Sequence, residues 1–179
     1  MKDFTRENRL LSLCGLNCGL CTMRLGRHCP GCGGGEGNQG CRIARCSLEH
    51  GKVQYCYDCE EYPCEKYAHI DEYDSFITHK RQKADLERAK TKGISAYNAE
   101  QEEKIEALQY FLSNFNDGRR KSFFCQAINL LALPEIREIR HMIETNAALG
   151  ELEEKCAYVA ALFQDAAKKN NIDLRLRRK

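Results

Sequence analysis

The sequence predicts a mostly α-helical protein with a small irregular α+β part at its N-terminal end. Three observations predict this architecture. Ten of the twelve cysteines lie between Cys14 and Cys64, ten of the 13 glycines precede residue 71, and apolar residues recur every three or four positions in the second half. We therefore expect a cysteine-rich module at residues 1–70, followed by a helical bundle of about four helices at 71–179.

Composition and charge exclude several classes of protein. The chain has 179 residues, 28 basic and 26 acidic side chains and a net charge of +2. A mean hydropathy of -0.60 and the short apolar run Phe123 to Leu133 exclude a membrane span, so no membrane partner is expected. The opening residues MKDFTRENRL contain no apolar signal segment. We therefore expect a soluble, cytoplasmic protein whose thiols are reduced.

The cysteine spacing of the first module is typical of metal ligation. Three pairs are separated by two residues, which lets both sulfurs reach one ion at about 2.3 Å. The pairs are Cys18 with Cys21, Cys29 with Cys32, and Cys56 with Cys59. Four further cysteines surround them, namely Cys14, Cys41, Cys46 and Cys64. This density in a reducing compartment indicates metal binding rather than disulfides, and it makes all ten cysteines candidate ligands.

The number of candidate ligands predicts at least two bound ions but does not show which cysteines share an ion. Two four-thiolate sites use eight sulfurs, and three sites need twelve ligands, which His28 and His50 would complete. Bridging thiolates are a further arrangement, and the pairs that share an ion need not be neighbours in sequence. Whether either histidine is a ligand stays open.

The order of these motifs is similar to that of a known family. The strings CGLNCGLC, CPGC, CRIARC and YCYDCEEYPCEKY resemble the cysteine-rich prokaryotic family called domain of unknown function 3795. The resemblance covers roughly Leu13 to Tyr67, and ISAYNAEQEEKIEAL is similar to part of the helical tail of some members. Zinc binding is ascribed to that family and no reaction is assigned to it. The resemblance thus implies bound zinc without implying an activity.

Zinc is the expected metal, and a zinc-knuckle-like fold is the expected form of the module. The turn at Cys29-Pro30-Gly31-Cys32-Gly33 is typical of structural zinc sites. Because residues 1–70 show little apolar periodicity, we expect metal to replace the core that this segment does not build. A closed zinc–thiolate site does no chemistry, so the leading interpretation is a non-catalytic binding or regulatory module with a protein partner. Metal buffering is a weaker alternative.

An iron–sulfur redox or sensor protein is the main alternative, since four thiolates also hold a cluster. The spacing of Cys14, Cys18 and Cys21 is similar to the triad of radical S-adenosylmethionine enzymes, but the large barrel that those enzymes need does not follow. The five histidines include no HExxH motif, and no phosphate-binding glycine motif is present. No catalytic residue is therefore predicted.

The first helices of the second half differ in amphipathicity. Residues from Ser75 to Lys92 predict a mostly polar helix that connects the two parts along the surface. Asn98, with Gln101 three residues later, predicts a capped start for a helix that runs to Asn116. Its apolar stripe consists of Ile105, Leu108, Phe111, Leu112 and Phe115.

Three further helices complete the predicted bundle. Arg119 to Leu133 is apolar on most sides and should lie centrally. Pro134 suits the first turn of the next helix, which ends before a break at 146–150. Its expected inward residues are Ile136, Ile139, Met142 and Ile143. The last helix shows an apolar stripe of Leu149, Leu152, Cys156, Val159, Phe163 and Ala166. Cys125 and Cys156 lie on apolar faces and are expected in the core.

Nucleic acid is not the favoured partner. Basic residues cluster at Arg119 to Lys121 and at Lys168 to Lys179, which fits a solvated helix start and a chain terminus. The acidic run from Glu100 to Glu106 opposes a broad phosphate-binding face.

Overall fold

The computed structural model describes residues 3–35, 40–145 and 151–178, and these residues are mostly helical. The predicted fold class is confirmed at that level. The helices are α1 (Thr22–Leu25), α2 (Arg42–Glu49), α3 (Glu65–Ala68), α4 (Gln82–Lys92), α5 (Ile94–Asn114), α6 (Lys121–Leu130), α7 (Leu133–Thr145) and α8 (Leu152–Lys169). Single 3-10 turns at Cys18–Leu20 and Cys56–Asp58 lie within the cysteine-rich segment. The strand-like pairing among the described residues is an isolated antiparallel bridge between Leu11 and Asn17.

The chain divides into two compact units. The cysteine unit comprises Met1–Glu102 together with Leu176–Lys179, and the helical unit comprises Glu103–Arg175. Among the described residues, no helix is long and apolar enough to cross a bilayer. The domain boundary expected at residues 70 and 71 stays a prediction.

The cysteine unit contains an apolar core, contrary to the expectation that metal alone takes that place. One buried cluster consists of Leu11, Tyr55, Tyr67, Leu86, Ala89 and Tyr97. A second consists of Phe4, Leu13, Ile43 and Ala44. The first cluster joins residues of the cysteine loops to residues of α4 and α5, which lie beyond residue 70. A core assembled from distant segments leaves no periodic pattern in any one of them.

Helix α4 differs from the predicted surface connector in its start and its environment. It begins at Gln82 rather than Ser75. Gln82, Asp85, Leu86 and Ala89 are buried, so one face of this polar helix packs within the cysteine unit. Burial of a polar residue is tolerated where its side chain is hydrogen-bonded, and Asn17 Nδ2 donates to Asp85 Oδ2 at 3.0 Å.

Helix α5 begins earlier than the capping pattern predicts. Gly93, with a φ of +82°, separates α4 from α5, and α5 starts at Ile94. The predicted cap Asn98 lies inside the helix, where its Oδ1 accepts a hydrogen bond from Asn8 Nδ2 at 3.0 Å. A tertiary contact therefore explains an asparagine that the local pattern assigned to a helix start.

The helical unit is organised around phenylalanines. The ring centroid of Phe163 lies 4.8 Å from that of Phe111 and 5.6 Å from that of Phe124. The C-terminal end of α6 meets a buried lysine: Lys104 Nζ donates to the carbonyl oxygen of Leu131 at 2.7 Å and to that of Asn129 at 3.4 Å. The predicted central position of α6 is confirmed, since all its residues from Phe124 to Leu130 are buried.

The predicted inward stripes of α7 and α8 are confirmed in part. Ile136, Ile139 and Ile143 are buried, and Pro134 lies in the first turn of α7 as expected. Two predictions were wrong: Met142 is 41% exposed and Leu152 is 52% exposed. Leu152 is the first residue of α8, so no preceding helical turn covers its side chain. Leu149 and the predicted break at 146–150 lie outside the described residues.

Cys125 and Cys156 are buried in the helical unit, as predicted. Cys125 lies in α6 and Cys156 in α8, far in sequence from the paired cysteines. Because they lie outside the cysteine-rich segment, substitutions of these two cysteines can serve as controls for substitutions of the ten candidate ligands.

Candidate metal centre

The first cysteine loop is held by short backbone contacts around Gly15. Gly15 has a φ of +99°, and a Cβ added there would lie 2.4 Å from the carbonyl oxygen of Gln82. Gln82 Nε2 in turn donates to the carbonyl oxygen of Cys14 at 3.1 Å, and the Tyr67 hydroxyl donates to the same oxygen at 3.1 Å. The absence of a side chain at Gly15 lets α4 approach the loop this closely. Cys14 is thereby fixed from two distant segments.

The Cys29–Cys32 turn has the backbone that its sequence predicts. Gly31 and Gly33 take φ angles of +89° and +77°, and the amide of Gly34 donates to the carbonyl oxygen of Gly31 at 3.0 Å. Only glycine takes this left-handed conformation without strain. The amide of Arg6 donates to the carbonyl oxygen of Gly33 at 3.2 Å, which attaches the N-terminal segment to the turn.

The Cys56–Cys59 pair lies in a capped 3-10 turn. Asp58 Oδ2 accepts from the amide of Tyr55 at 3.0 Å, and the amide of Cys59 donates to the carbonyl oxygen of Cys56 at 3.1 Å. The amide of Cys56 also donates to the carbonyl oxygen of Leu13 at 2.9 Å. This last bond joins the Cys56–Cys59 turn to the segment that carries Cys14, so Cys56 lies near the first cysteine of the module.

Four candidate ligands line one small cavity, which opens to solvent. Cys46 comes from α2, Cys56 and Cys59 from the 3-10 turn and its end, and Cys64 from the residue before α3. The apolar part of the lining consists of Leu13, Ile43, Val53, Tyr62 and Tyr67. Three separate segments therefore place thiols around a single apolar-walled space.

His50 lines the same cavity, but both of its ring nitrogens have partners in the protein. Its Nδ1 donates to the carbonyl oxygen of Cys46 at 2.8 Å and lies 3.5 Å from the Cys46 sulfur. Its Nε2 lies 3.3 Å from Glu61 Oε1. The Cys46 carbonyl and the Glu61 carboxylate raise the pKa of His50. His28, the other histidine that sequence left open, is exposed.

A second group of thiols surrounds Cys14. Cys32 and Cys41 lie close enough to Cys14 to contribute to its electrostatic environment, and Cys18 is influenced in the same way by Cys14, Cys21 and Cys32. The two groups adjoin, since Cys56 is influenced by Cys14 as well as by Cys64 and Cys46. Cys41 is exposed, and Cys29 is half-buried in the turn before Pro30.

The thiols in the interior are held protonated by their surroundings. Burial raises the pKa of Cys14 to about 11 and that of Cys18 to about 12, and it also raises the pKa of Cys32 and Cys56. Neighbouring thiols add to the rise because adjacent thiolates repel one another. A divalent cation reverses this effect, since thiolates bound to it lose their protons.

All twelve cysteines are free of disulfide bonds. Within the described ranges, no three His, Cys, Asp or Glu side chains converge closely enough to form a ready-made metal site. The chemistry of the donors nevertheless fits a soft divalent ion, since four of the residues that line the cavity are cysteines and further cysteines lie in the loops around Cys14.

The structure adds site residues that the sequence patterns missed. Arg6 is buried beside Cys32, and Gln82 and Tyr67 bind the backbone of Cys14. Arg6 and Gln82 belong to no cysteine motif or apolar stripe, and Tyr67, which ends the string YCYDCEEYPCEKY, is separated from Cys14 by 53 residues. Their proximity to the thiols comes only from tertiary packing, so local spacing held no signal for them.

Comparison of the chain with family models, with curated proteins and with solved structures finds no match. The assignment of a function therefore depends on the chain's own residues.

Proposed function

We propose that this chain is a zinc-binding protein whose cysteine unit holds at least two ions in closed thiolate sites, in a zinc-knuckle-like arrangement. The single observation that carries the proposal is the cavity lined by four cysteines from three segments. Zinc prefers four tetrahedral ligands, and thiolates are its usual ligands in structural sites. Bound there, the ion would supply cross-links between loops that otherwise contain only short helices.

In this proposal the first ion is held by Cys46, Cys56, Cys59 and Cys64. The second is held by ligands drawn from the group around Cys14, namely Cys14, Cys18, Cys21, Cys29, Cys32 and Cys41. This grouping is supported by the cavity lining for the first set and by the mutual electrostatic influence of Cys14, Cys18 and Cys32 for the second. His50 supports the first site by holding the Cys46 carbonyl.

We assign the protein a non-catalytic binding or regulatory role in the cytoplasm, exerted through a protein partner. Sites filled entirely by thiolates leave no open coordination position for a substrate. The net charge of only +2 does not support a basic surface that binds nucleic acid. An iron–sulfur protein is the second candidate, because the same thiols, none of which is in a disulfide bond, also suit a cluster.

The decisive experiment is purification of the full chain without air, followed by analysis of zinc, iron, labile sulfide and the visible spectrum. We expect a colourless protein with two or more zinc ions per chain. A brown protein with iron and sulfide would overturn the zinc proposal in favour of the cluster, and a metal-free protein with reduced thiols would overturn both.

Matched cysteine variants test the grouping. Cys64→Ser should lose about one zinc per chain to a competing chelator, because a serine hydroxyl binds zinc much more weakly than a thiolate does. Cys125→Ser replaces a buried cysteine of the helical unit and should retain all the zinc. The far-ultraviolet circular dichroism of both variants shows whether the helices persist. Equal zinc content in the two variants would refute the assignment of Cys64.

A further inference from the structure

Arg6 is a buried cation that the N-terminal segment delivers to the cysteine unit. The residue is only 4% exposed. Its Nε donates to the carbonyl oxygen of Gln54 at 2.8 Å, and its Nη1 donates to the carbonyl oxygens of Leu11 at 2.9 Å and Asn8 at 3.2 Å. These bonds fix the guanidinium in the interior, and all of them go to uncharged acceptors.

The charge of Arg6 lacks a carboxylate partner. Within the described part of the chain, Arg6 forms no ion pair and its buried Nη2 has no hydrogen-bond partner. The ring of Tyr55 lies 4.8 Å from the guanidinium carbon, which gives a cation–π contact but no counter-charge. Arginine keeps its charge in proteins, and an uncompensated charge in the interior is costly. The position therefore calls for an anion.

The available group beside Arg6 is the thiol of Cys32. The Arg6 guanidinium lies close enough to the Cys32 thiol to interact with it electrostatically. The backbone brings the two residues together as well, because the Arg6 amide binds the Gly33 carbonyl oxygen at 3.2 Å. A Cβ added at Gly33 would lie 2.7 Å from Cβ of Arg6, so the glycine after Cys32 admits Arg6 to this place.

We propose that Arg6 is the internal counter-cation of the thiolate site that contains Cys32. The inference rests on the proposed function and adds a residue outside the cysteine motifs. Four thiolates carry four negative charges against the two positive charges of zinc, so a closed site keeps an excess of negative charge. A fixed guanidinium offsets part of that excess and strengthens metal binding from outside the ligand shell.

If Arg6 has a purely structural role, only its three hydrogen bonds to carbonyl oxygens matter. Removal of its charge alone should then leave the zinc affinity unchanged. Citrulline separates the two roles. It has nearly the shape of arginine, keeps Nε and one terminal nitrogen as donors, and carries no charge. Replacement of Arg6 by citrulline is accessible in the full chain, since a synthetic peptide of residues 1–13 can be ligated to a fragment that begins with Cys14.

The measured quantity is the affinity of the anaerobic, reduced protein for Zn²⁺ in competition with a chelator, together with the absorption spectrum of the Co²⁺ form. We expect the citrulline protein to bind one of its zinc ions about 10- to 100-fold more weakly, which is the range for residues that support metal ligands. Arg6→Lys keeps the positive charge but lacks the planar guanidinium with its several N–H donors. This variant should retain more zinc affinity than the citrulline protein. Thermal unfolding of each metal-loaded protein accompanies the titration.

Arg88→Gln is the matched control. Arg88 belongs to the same unit and pairs with Glu100 at 2.6 Å, so its loss removes a charge without removing one beside Cys32. This variant should keep wild-type zinc affinity. Wild-type affinity in the citrulline protein would overturn the inference and leave the zinc proposal intact. Weaker binding by Arg6→Lys than by citrulline would overturn it too, since hydrogen bonds would then decide. Absence of zinc from the ligated wild-type protein would refute the proposed function itself.

Discussion

The two units use aromatic residues in different ways. In the helical unit, phenylalanines pack on one another: Phe163 meets Phe111 edge to face at a centroid distance of 4.8 Å, and Phe111 stacks on Phe124 at 5.7 Å. In the cysteine unit the buried aromatic residues are mostly tyrosines, and their hydroxyls bind the cysteine loops: Tyr67 donates to the Cys14 carbonyl oxygen and Tyr97 to Asn17 Oδ1. An apolar core suffices where helices are long, whereas short loops also need polar anchors for their backbone.

The largest expected effect is the response of the cysteine unit to metal removal. Treatment with EDTA under reducing conditions should abolish most amide protection in residues 11–67, because structural zinc contributes a large share of folding energy. Amides of α6 and α8 should keep their protection. Hydrogen exchange with mass spectrometry measures both units in one sample. Unchanged exchange in residues 11–67 would show that the apolar clusters are sufficient.

The second prediction concerns the phenylalanine core. Phe163→Ala should lower the free energy of unfolding by about 3–5 kcal/mol, because the removed ring leaves a cavity among Phe111 and Phe124. Leu152→Ala, on the same helix but 52% exposed, should change it by less than about 0.5 kcal/mol. Urea unfolding followed by circular dichroism measures both. Zinc content should be unaffected in either variant.

The C-terminal residues of the cysteine unit depend on Asp74. Asp74 Oδ2 accepts from the Arg177 amide at 2.6 Å, and Oδ1 accepts from the Arg177 guanidinium at 3.1 Å and from the His79 amide at 2.6 Å. Asp74→Asn should therefore accelerate tryptic cleavage near Arg177 about tenfold, since hydrogen bonds to charged groups contribute about 1.5–3 kcal/mol. Glu144→Gln, an exposed carboxylate of the helical unit that pairs with Arg140, is the control and should leave the rate unchanged. Equal rates would refute this anchoring.

Acid provides an independent test of the same contact. Burial alone would raise the pKa of Asp74, but hydrogen bonds from Arg177 and the His79 amide lower it below its ordinary value of 3.8. The stabilisation is therefore fully present above pH 3.8 and disappears as the pH falls through the lower, folded-state value. Protection of the Arg177 amide, corrected for intrinsic exchange, should follow that course in the wild type and be independent of pH in Asp74→Asn.

The smallest predicted effect is at a tyrosine anchor. Tyr97 is fully buried, and its hydroxyl donates to Asn17 Oδ1 at 2.8 Å. Tyr97→Phe should lower the free energy of unfolding of the zinc-loaded protein by about 1 kcal/mol. Tyr57→Phe is the matched control, because the ring of Tyr57 stacks on that of Tyr55 at 5.0 Å and this contact survives the change. Equal losses of unfolding free energy in the two variants would show that the hydrogen bond from Tyr97 to Asn17 makes no specific contribution to stability.

The sequence predicted what is encoded locally. The apolar spacing of Ile136, Ile139 and Ile143 identified the buried face of α7, because a helix face depends only on nearby residues. The same logic failed for α4, whose buried Leu86 and Ala89 contact loops formed far away in sequence. The start of α5 was misplaced for a related reason, since Asn98 binds Asn8 rather than a helix end.

The candidate site also has local features that the sequence predicts and tertiary features that it does not. Spacing of two residues and glycine-rich turns are local features, and they suffice to mark the paired cysteines as candidate ligands. That Cys46, Cys56, Cys59 and Cys64 line one cavity was not predictable, because Cys46 lies in α2 and the other three lie in later turns that only tertiary packing brings together. Arg6 was missed because its burial is set by the carbonyl groups of Leu11, Asn8 and Gln54.

The close approach at Gly15 gives a practical criterion for recognising relatives of this chain. Any side chain at that position would overlap the Gln82 carbonyl oxygen and approach Cβ of Leu86 to 2.9 Å. A protein that shares the cysteine spacing but has a larger residue here must arrange its fourth helix differently. The residue one position after the first cysteine thus distinguishes homologues that share this interior from proteins that share only the motif.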